Sequence, residues 1–250
     1  PAHGHPDEGA TDPEGQAHAR NCSGELISII GSALPYIPMK RIVMLASGRG
    51  SNFLAVASAI TRGMIHGRCV GLIVDRRGAL AAVRAEECGI PVFIIDYSGF
   101  STKDEYEEEV IGTLRSLAPD LIVLAGYMKI LGSAIIREYA GRIINIHPSL
   151  LPSFPGLDAQ GQALEYGVKI SGCTVHFVDE GTDSGPVILQ RAVPVLDDDD
   201  PERLAERILL EEHIALPEAV SLFCQDRLRI LGRTVLRLDS DFQDGRSGST

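Results

Sequence analysis

Between residues 40 and 147 the chain alternates short apolar runs with longer amphipathic stretches. The runs are residues 41–46 (RIVMLA), 69–74 (CVGLIV), 91–95 (PVFII), 120–125 (DLIVLA) and 142–146 (RIINI). They are near-continuous in Val, Ile and Leu, the pattern of strands buried on both faces. Between them, FLAVASAITRG, an Ala- and Glu-rich stretch at 79–88, KDEYEEEVIGTLRSL and LGSAIIREYA carry helical spacing. This rhythm predicts an α/β fold, a parallel sheet with helices on both faces. After His147 the rhythm changes. SGCTVHFVDE and GPVILQRAVPV, separated by GTDSG, predict an antiparallel pair. Asp200-Pro201-Glu202 opens a long helix, with Asp as cap, Pro in the first turn and acid against the helix dipole. Leu204, Ile208, Ile214 and Val220 are expected to be its buried stripe, and residues 225–238 a short strand pair.

Composition changes at the ends. Residues 1–38 are rich in Gly, Pro, Ala and acid, with little to bury, and predict a disordered leader. Its His3, His5 and His18 read as solvated rather than as metal ligands. Residues 239–250 are polar and predict a disordered tail. A single domain at 39–238 is left between them.

The net charge of -11 argues against a nucleic-acid binder, which needs a basic footprint. No apolar run approaches the roughly 20 residues that span a bilayer, and the first residues lack a signal-peptide pattern. Cys22, Cys69, Cys88, Cys173 and Cys224 are scattered and odd in number, without CxxC spacing. That argues against a disulfide framework or a zinc knuckle and fits a reducing cytoplasm. No His, Cys and carboxylate set has metal-ligand spacing.

Three places carry candidate chemistry. The loop 47–52 (SGRGSN) joins the first strand to the first helix, where glycines allow close backbone approach and helix N–H groups favour an anion. Turn geometry alone explains it equally well. Phe53 stands where the dinucleotide fingerprint has its third glycine, and no P-loop Lys follows. Asn145 and His147 lie two apart at a strand end, so they point the same way, and Pro148 and Pro152 stiffen the loop beyond. An amide and an imidazole there could hold an oxyanion and move a proton. Asp183 sits in the glycine-flanked loop GTDSGP; a carboxylate near an imidazole would orient it and favour its charged form. His176, inside TVHFV, reads as a packed strand residue. Glu211, Glu212 and His213 read as a solvated helix face, and Asp197–Asp200 as acid gathered at a helix start.

The segments RIVMLASGRGSN, LIVLAGYMKIL, RIINIHPSLLPSFPGLDAQGQALEYG and GCTVHFVDEGTDSGPVILQRAVPV together resemble the folate-dependent phosphoribosylglycinamide formyltransferases of purine synthesis. The likeness runs from about residue 39 to 231. It implies a Rossmann-like, mostly parallel sheet with an antiparallel C-terminal extension, and formyl transfer from 10-formyltetrahydrofolate to the amine of glycinamide ribonucleotide. No metal is implied, and a homodimer is left open. Under it Asn145, His147 and Asp183 match the catalytic residues. Gly50, Ser51, Asn52 and Glu212 match contacts to the glycinamide ribonucleotide. Lys103, Met128, Lys129, Ile130, Leu131, Asn145 and Asp179, Glu180, Gly181, Thr182, Asp183 match the folate side. Lys103 stands where some members carry Arg, Asp158 and Ala159 where some have His-Thr, and Ser153 where some have Lys. The alternatives are another formylfolate-dependent transferase or hydrolase, and a non-catalytic nucleotide-binding module. A transferase acting on charged tRNA would carry a basic C-terminal domain, and a formylfolate hydrolase a sizeable N-terminal domain.

Overall fold

The structure, a computed structural model, describes residues 38–238 and a two-residue antiparallel pairing of Ala19–Arg20 with Leu26–Ile27. The rest of 1–37 and 239–250, on which the expected leader and tail fall, lie outside the described residues. By internal contacts the chain divides into Pro1–Pro38 and Met39–Thr250, and the second unit carries all the elements that follow.

Nine strands form one sheet: β1 (Lys40–Ala46), β2 (Gly67–Val74), β3 (Val92–Ile94), β4 (Leu121–Leu124), β5 (Ile143–His147), β6 (Ile170–Phe177), β7 (Val187–Pro194), β8 (Leu228–Leu231) and β9 (Thr234–Arg237). Their order is β8-β9-β7-β6-β5-β4-β1-β2-β3. From β3 to β5 every pair is parallel; β6 then adds antiparallel to β5, and β7 antiparallel to β6. The hairpin β8–β9 closes that edge, β9 running parallel to β7. The fold is the expected mixed, mostly parallel α/β sheet with an antiparallel C-terminal part.

The helices are α1 (Ser51–Thr61), α2 (Leu80–Glu87), α3 (Lys103–Leu117), α4 (Ser133–Glu138), α5 (Ala159–Tyr166) and α6 (Pro201–Cys224). Alternation along the strands divides the core in two. Ile42, Met44, Leu121 and Val123 pack on one face with Phe53 and Val56 of α1 and Leu204 and Ile208 of α6. Val43, Leu45, Ile122 and Leu124 pack on the other with Tyr106, Val110 and Leu114 of α3 and Ile135 of α4. Among the described residues no helix is long and apolar enough to cross a membrane.

Local signals set the helix starts. The Asp200 side chain accepts from the Arg203 N–H at 2.8 Å, and Pro201 occupies the first turn of α6. The α6 stripe differs from expectation at one position: Ile214 is half exposed, and Glu212, Ala215 and Leu216 are buried between Ile208 and Val220. The steps Ile208, Glu212, Ala215 and Ala219 follow the 3–4 residue period, and Ile214 falls off it. Helix α3 begins with a capping box: Thr102 Oγ1 accepts from the Glu105 N–H at 3.2 Å, and the Glu105 carboxylate accepts from the Thr102 N–H at 3.3 Å. Thr102→Ala should cost about 1 kcal/mol of stability, read as a drop of about 2–4 °C in Tm. An unchanged Tm would show that the box contributes nothing.

Candidate active site

Strand β5 lies where the sheet changes from parallel to antiparallel, and its carboxyl end carries Asn145 and His147. Register on β6 sets Asn145 opposite His176 and His147 opposite Thr174. His147 is buried, with its Nε2 2.8 Å from the Phe154 carbonyl and its Nδ1 3.3 Å from Asp183 Oδ2. A carbonyl and a carboxylate both only accept, so both contacts are met when both ring nitrogens carry a proton. Asp183 is held by its other contacts as well. The Gly156 N–H donates to Oδ2 at 2.8 Å, and Asn145 Nδ2 reaches Oδ1 at 3.5 Å. Burial by itself would raise the Asp183 carboxyl pKa. Hydrogen bonding from His176 and the Gly156 N–H, with the charges on His147 and His176, outweighs it and holds the carboxyl below its ordinary 3.8. Its backbone is left-handed at φ 50°, a conformation Asp tolerates in turns. The loop around it is tied by Asp179, whose Oδ1 accepts from Ser184 Oγ at 2.6 Å and from the Gly181 N–H at 3.1 Å.

These groups face a cavity of about 430 Å3, a size suited to a drug-sized or cofactor-sized ligand. Met128, Ile130, Leu131, Ile136 and Val178 supply apolar wall. Asn145, His147, His176 and the segment 179–183 supply polar wall. All the residues matched to the folate side therefore line one space, with the exception of Lys103. Lys103 borders a neighbouring cavity of about 320 Å3 with Tyr97, Tyr106 and Glu107. Its ammonium lies 3.3 Å from Glu107 Oε1, one turn along α3. The two cavities share residues 127–131 as their common wall.

The loop 47–52 stands at the adjacent strand end. Gly50 takes φ +73°, and among the described residues no side-chain cap hydrogen bond is made at the start of α1. That leaves α1 N–H groups without a side-chain acceptor, the arrangement that receives an anion. Ser47 joins this loop to the cavity wall: its N–H donates to the Gly126 carbonyl at 3.1 Å, and its Oγ accepts from the Met128 N–H at 2.8 Å.

Asn52 and Glu212 come together 160 positions apart, Asn52 Nδ2 donating to Glu212 Oε2 at 2.7 Å. Both are buried, and Asn52 Oδ1 has no hydrogen-bond partner among the described residues. The expected solvated face is thus corrected: Glu212 lies on the packed stripe of α6. Burial pushes its pKa above the ordinary 4.5, partly offset by the Asn52 bond. A carboxyl whose folded pKa is raised stabilises the fold most below its unfolded pKa, and that contribution is lost as pH rises through the folded value. Glu212→Gln should therefore raise Tm at pH 8 and leave it nearly unchanged at pH 4. Its amide could also donate to the orphaned Asn52 Oδ1. Equal Tm changes at both pH values would contradict a buried ionised Glu212.

His176 is the residue whose part the sequence left unread. It is buried on β6, its Nδ1 2.9 Å from the Phe177 carbonyl and its Nε2 3.3 Å from Asn145 Nδ2 and 3.7 Å from Asp183 Oδ1. The signal that could have found it is the antiparallel pairing of TVHFV with NIH, which sets the two side chains across from each other. His213 stays outside the site; burial lowers its pKa, and its Nε2 has no hydrogen-bond partner among the described residues. Glu180 pairs with Arg137 at 3.4 Å on the cavity rim.

Residues 40–220 match the model of a family described as formyl transferase. The chain is 42% identical over 182 residues to a phosphoribosylglycinamide formyltransferase of Bacillus subtilis (strain 168), an alignment covering 73% of this chain and 93% of that one. It is 43% identical over 211 residues to a trifunctional purine biosynthetic protein of Drosophila pseudoobscura pseudoobscura, covering 84% of this chain and 16% of that protein. The chain thus spans less than a fifth of the length of that relative. The fold superposes on glycinamide ribonucleotide transformylase 1 from Symbiobacterium toebii with a TM-score of 0.79 and 46% identity, covering 80% of this chain and 95% of that one.

Proposed function

Because the chain belongs to the formyl transferase family, we propose that it transfers the formyl group of 10-formyltetrahydrofolate to the amine of glycinamide ribonucleotide, a step of purine biosynthesis. The observation that carries this reading is the His147–Asp183 pair facing the 430 Å3 cavity, beside an uncapped helix start. The apolar wall of Met128, Ile130, Leu131 and Val178 suits a flat heteroaromatic ring, and the polar edge of 179–183 suits its ring nitrogens. Gly50, Ser51 and Asn52 take the phosphate of the ribonucleotide, and Glu212 contacts its glycinamide end. Lys103, on the far side of the 127–131 wall, faces the folate tail.

In this reading the co-substrate supplies the formyl carbon, and the protein orients the amine against it. Charge on the His147 ring stabilises the oxygen anion that develops on attack. Asp183 keeps that ring oriented and charged, and carries the proton from the attacking amine to the departing folate nitrogen. No covalent enzyme intermediate is called for.

The test is acceptor dependence. Purified chain is mixed with 10-formyltetrahydrofolate, and release of tetrahydrofolate is followed with glycinamide ribonucleotide, with water alone and with methionyl-tRNA. Release that requires glycinamide ribonucleotide is expected. Release with water alone would replace the reading with a hydrolase, and release with methionyl-tRNA would replace it with a tRNA transferase.

A further inference from the structure

The loop 47–52 is gripped from one side by its carbonyls. Ser47 O accepts from Arg76 Nε at 2.5 Å, Gly48 O from the Ala81 N–H at 3.1 Å, and Arg49 O from Arg84 Nη1 at 2.7 Å. All of these donors come from α2 and the short loop that leads into it. In a planar trans peptide the N–H points opposite to the carbonyl. Turning carbonyls 47, 48 and 49 toward α2 therefore turns the N–H groups of Gly48, Arg49 and Gly50 away from it. These N–H groups, and those of Ser51, Asn52 and Phe53 after them, meet no acceptor among the described residues. The two guanidinium groups bring charge as well as hydrogen bonds. Arg76 Nη2 stands over Gly48, 3.8 Å from where a Cβ on that residue would lie. Among the described residues neither Arg76 nor Arg84 is paired with a carboxylate, whereas Arg77 lies 3.6 Å from Asp96.

We propose that Arg76 and Arg84 are positioning residues that hold this loop by its carbonyls, so that its row of N–H groups faces the phosphate of the acceptor, and that they thereby set the preference for a phosphorylated over an unphosphorylated acceptor. This rests on the formyl-transfer reading and adds to it what keeps the loop in shape. With both side chains removed, only the Ala81 N–H still anchors the segment from the α2 side. The Ser47 and Arg49 carbonyls are then released to turn toward the anion, and a carbonyl oxygen repels a phosphate where an N–H attracts it. Neither arginine acts on the reacting atoms. Their loss therefore falls on acceptor binding, and the rate at saturating acceptor is kept.

Two measurements test it. The first compares two acceptors, glycinamide ribonucleotide and the glycinamide ribonucleoside that lacks only the phosphate. Arg76→Met and Arg84→Met should each raise KM for the ribonucleotide about tenfold or more, the scale of a lost hydrogen bond from a charged group. In both variants kcat should stay within about threefold, and so should kcat/KM for the ribonucleoside, because only binding of the phosphate is lost. Arg76→Lys, which keeps a charged donor, should return the ribonucleotide KM to within about threefold of wild type. Arg77→Met, which removes a charge of the same patch but no hydrogen bond to the loop, should change that KM less than about twofold. Equal losses on both acceptors, an unchanged ribonucleotide KM, no recovery in Arg76→Lys, or a tenfold effect of Arg77→Met would each overturn the proposal. The second measurement does not need activity. Ribose 5-phosphate is titrated into the full chain and the amide signals of residues 48–53 are followed by NMR, with ribose as the control. Ribose 5-phosphate alone should move these signals in the wild type, and its Kd should rise about tenfold or more in Arg76→Met and Arg84→Met. A Kd equal in wild type and variants, or a wild type whose signals do not move, would overturn the positioning role. Wild-type protein that binds ribose 5-phosphate in this way but transfers no formyl group would contradict the formyl-transfer reading and leave the positioning role standing.

Discussion

Asp183→Asn should lower kcat by roughly a hundredfold or more while the protein keeps its fold. The change preserves shape and removes the charge beside His147 Nδ1. In the native protein burial by itself would raise the pKa of that carboxyl, but the His176 and Gly156 hydrogen bonds and the two imidazoles outweigh it and hold the pKa below its ordinary value. A depressed carboxyl pKa gives stability that is present above the unfolded value and lost as pH falls through the folded one. The wild type should therefore show no acid limb from Asp183 between pH 5 and pH 8, and the variant should be slower at every pH in that range. The scale follows from the loss of one acid–base group, about 10²–10⁴ in rate. His147→Ala should cost at least as much, and the double variant little beyond the worse single one. Fully additive losses would show two independent roles, and a variant within about threefold of wild type would remove Asp183 from the chemistry.

Gly50→Ala should disable the site from its other end. Gly50 takes φ +73°, where a side chain costs about 1–2 kcal/mol. An added Cβ would also lie 2.7 Å from both the Cα and the Cβ of Ala81, at the start of α2, and neither atom belongs to a flexible chain end. The loop must move, and with it the α1 N–H groups. We expect a Tm lower by several degrees and a KM for glycinamide ribonucleotide raised at least tenfold, with the KM for the folate changed little. A rise in the folate KM alone would reverse the assignment of the two half-sites.

What the sequence made legible was local. The strands β1, β2, β4 and β5 show as apolar runs because both faces are buried along most of their length, and the start of α6 shows because Asp200 and Pro201 act within one turn. Asn145, His147 and Asp183 could be singled out by position and by resemblance, and the structure brings Asp183 within reach of both Asn145 and His147. His176 could not be read from its own neighbours. Its meaning depends on the register between β5 and β6, which places it across from a residue 31 positions away. Glu212 was obscured for a similar reason. A carboxylate in the run Glu211-Glu212-His213 looks solvated until α1 delivers Asn52 to it. Ile214, read as core, is half exposed because the stripe passes through Glu212 and Ala215. Lys103 was placed with the folate residues, yet it lies across the 127–131 wall in the adjoining cavity and is paired with Glu107, a separation that only the tertiary path of that loop determines.

The most direct test of the central claim follows the formyl carbon itself. 10-Formyltetrahydrofolate labelled with carbon-13 in the formyl group is incubated with glycinamide ribonucleotide and the full chain, and the label is watched by carbon NMR. The account predicts that the formyl signal is replaced, one for one, by a formamide carbon on the glycinamide nitrogen, and that this conversion slows about a hundredfold or more with Asp183→Asn. Label that stays on the folate, or that leaves as free formate, would contradict it.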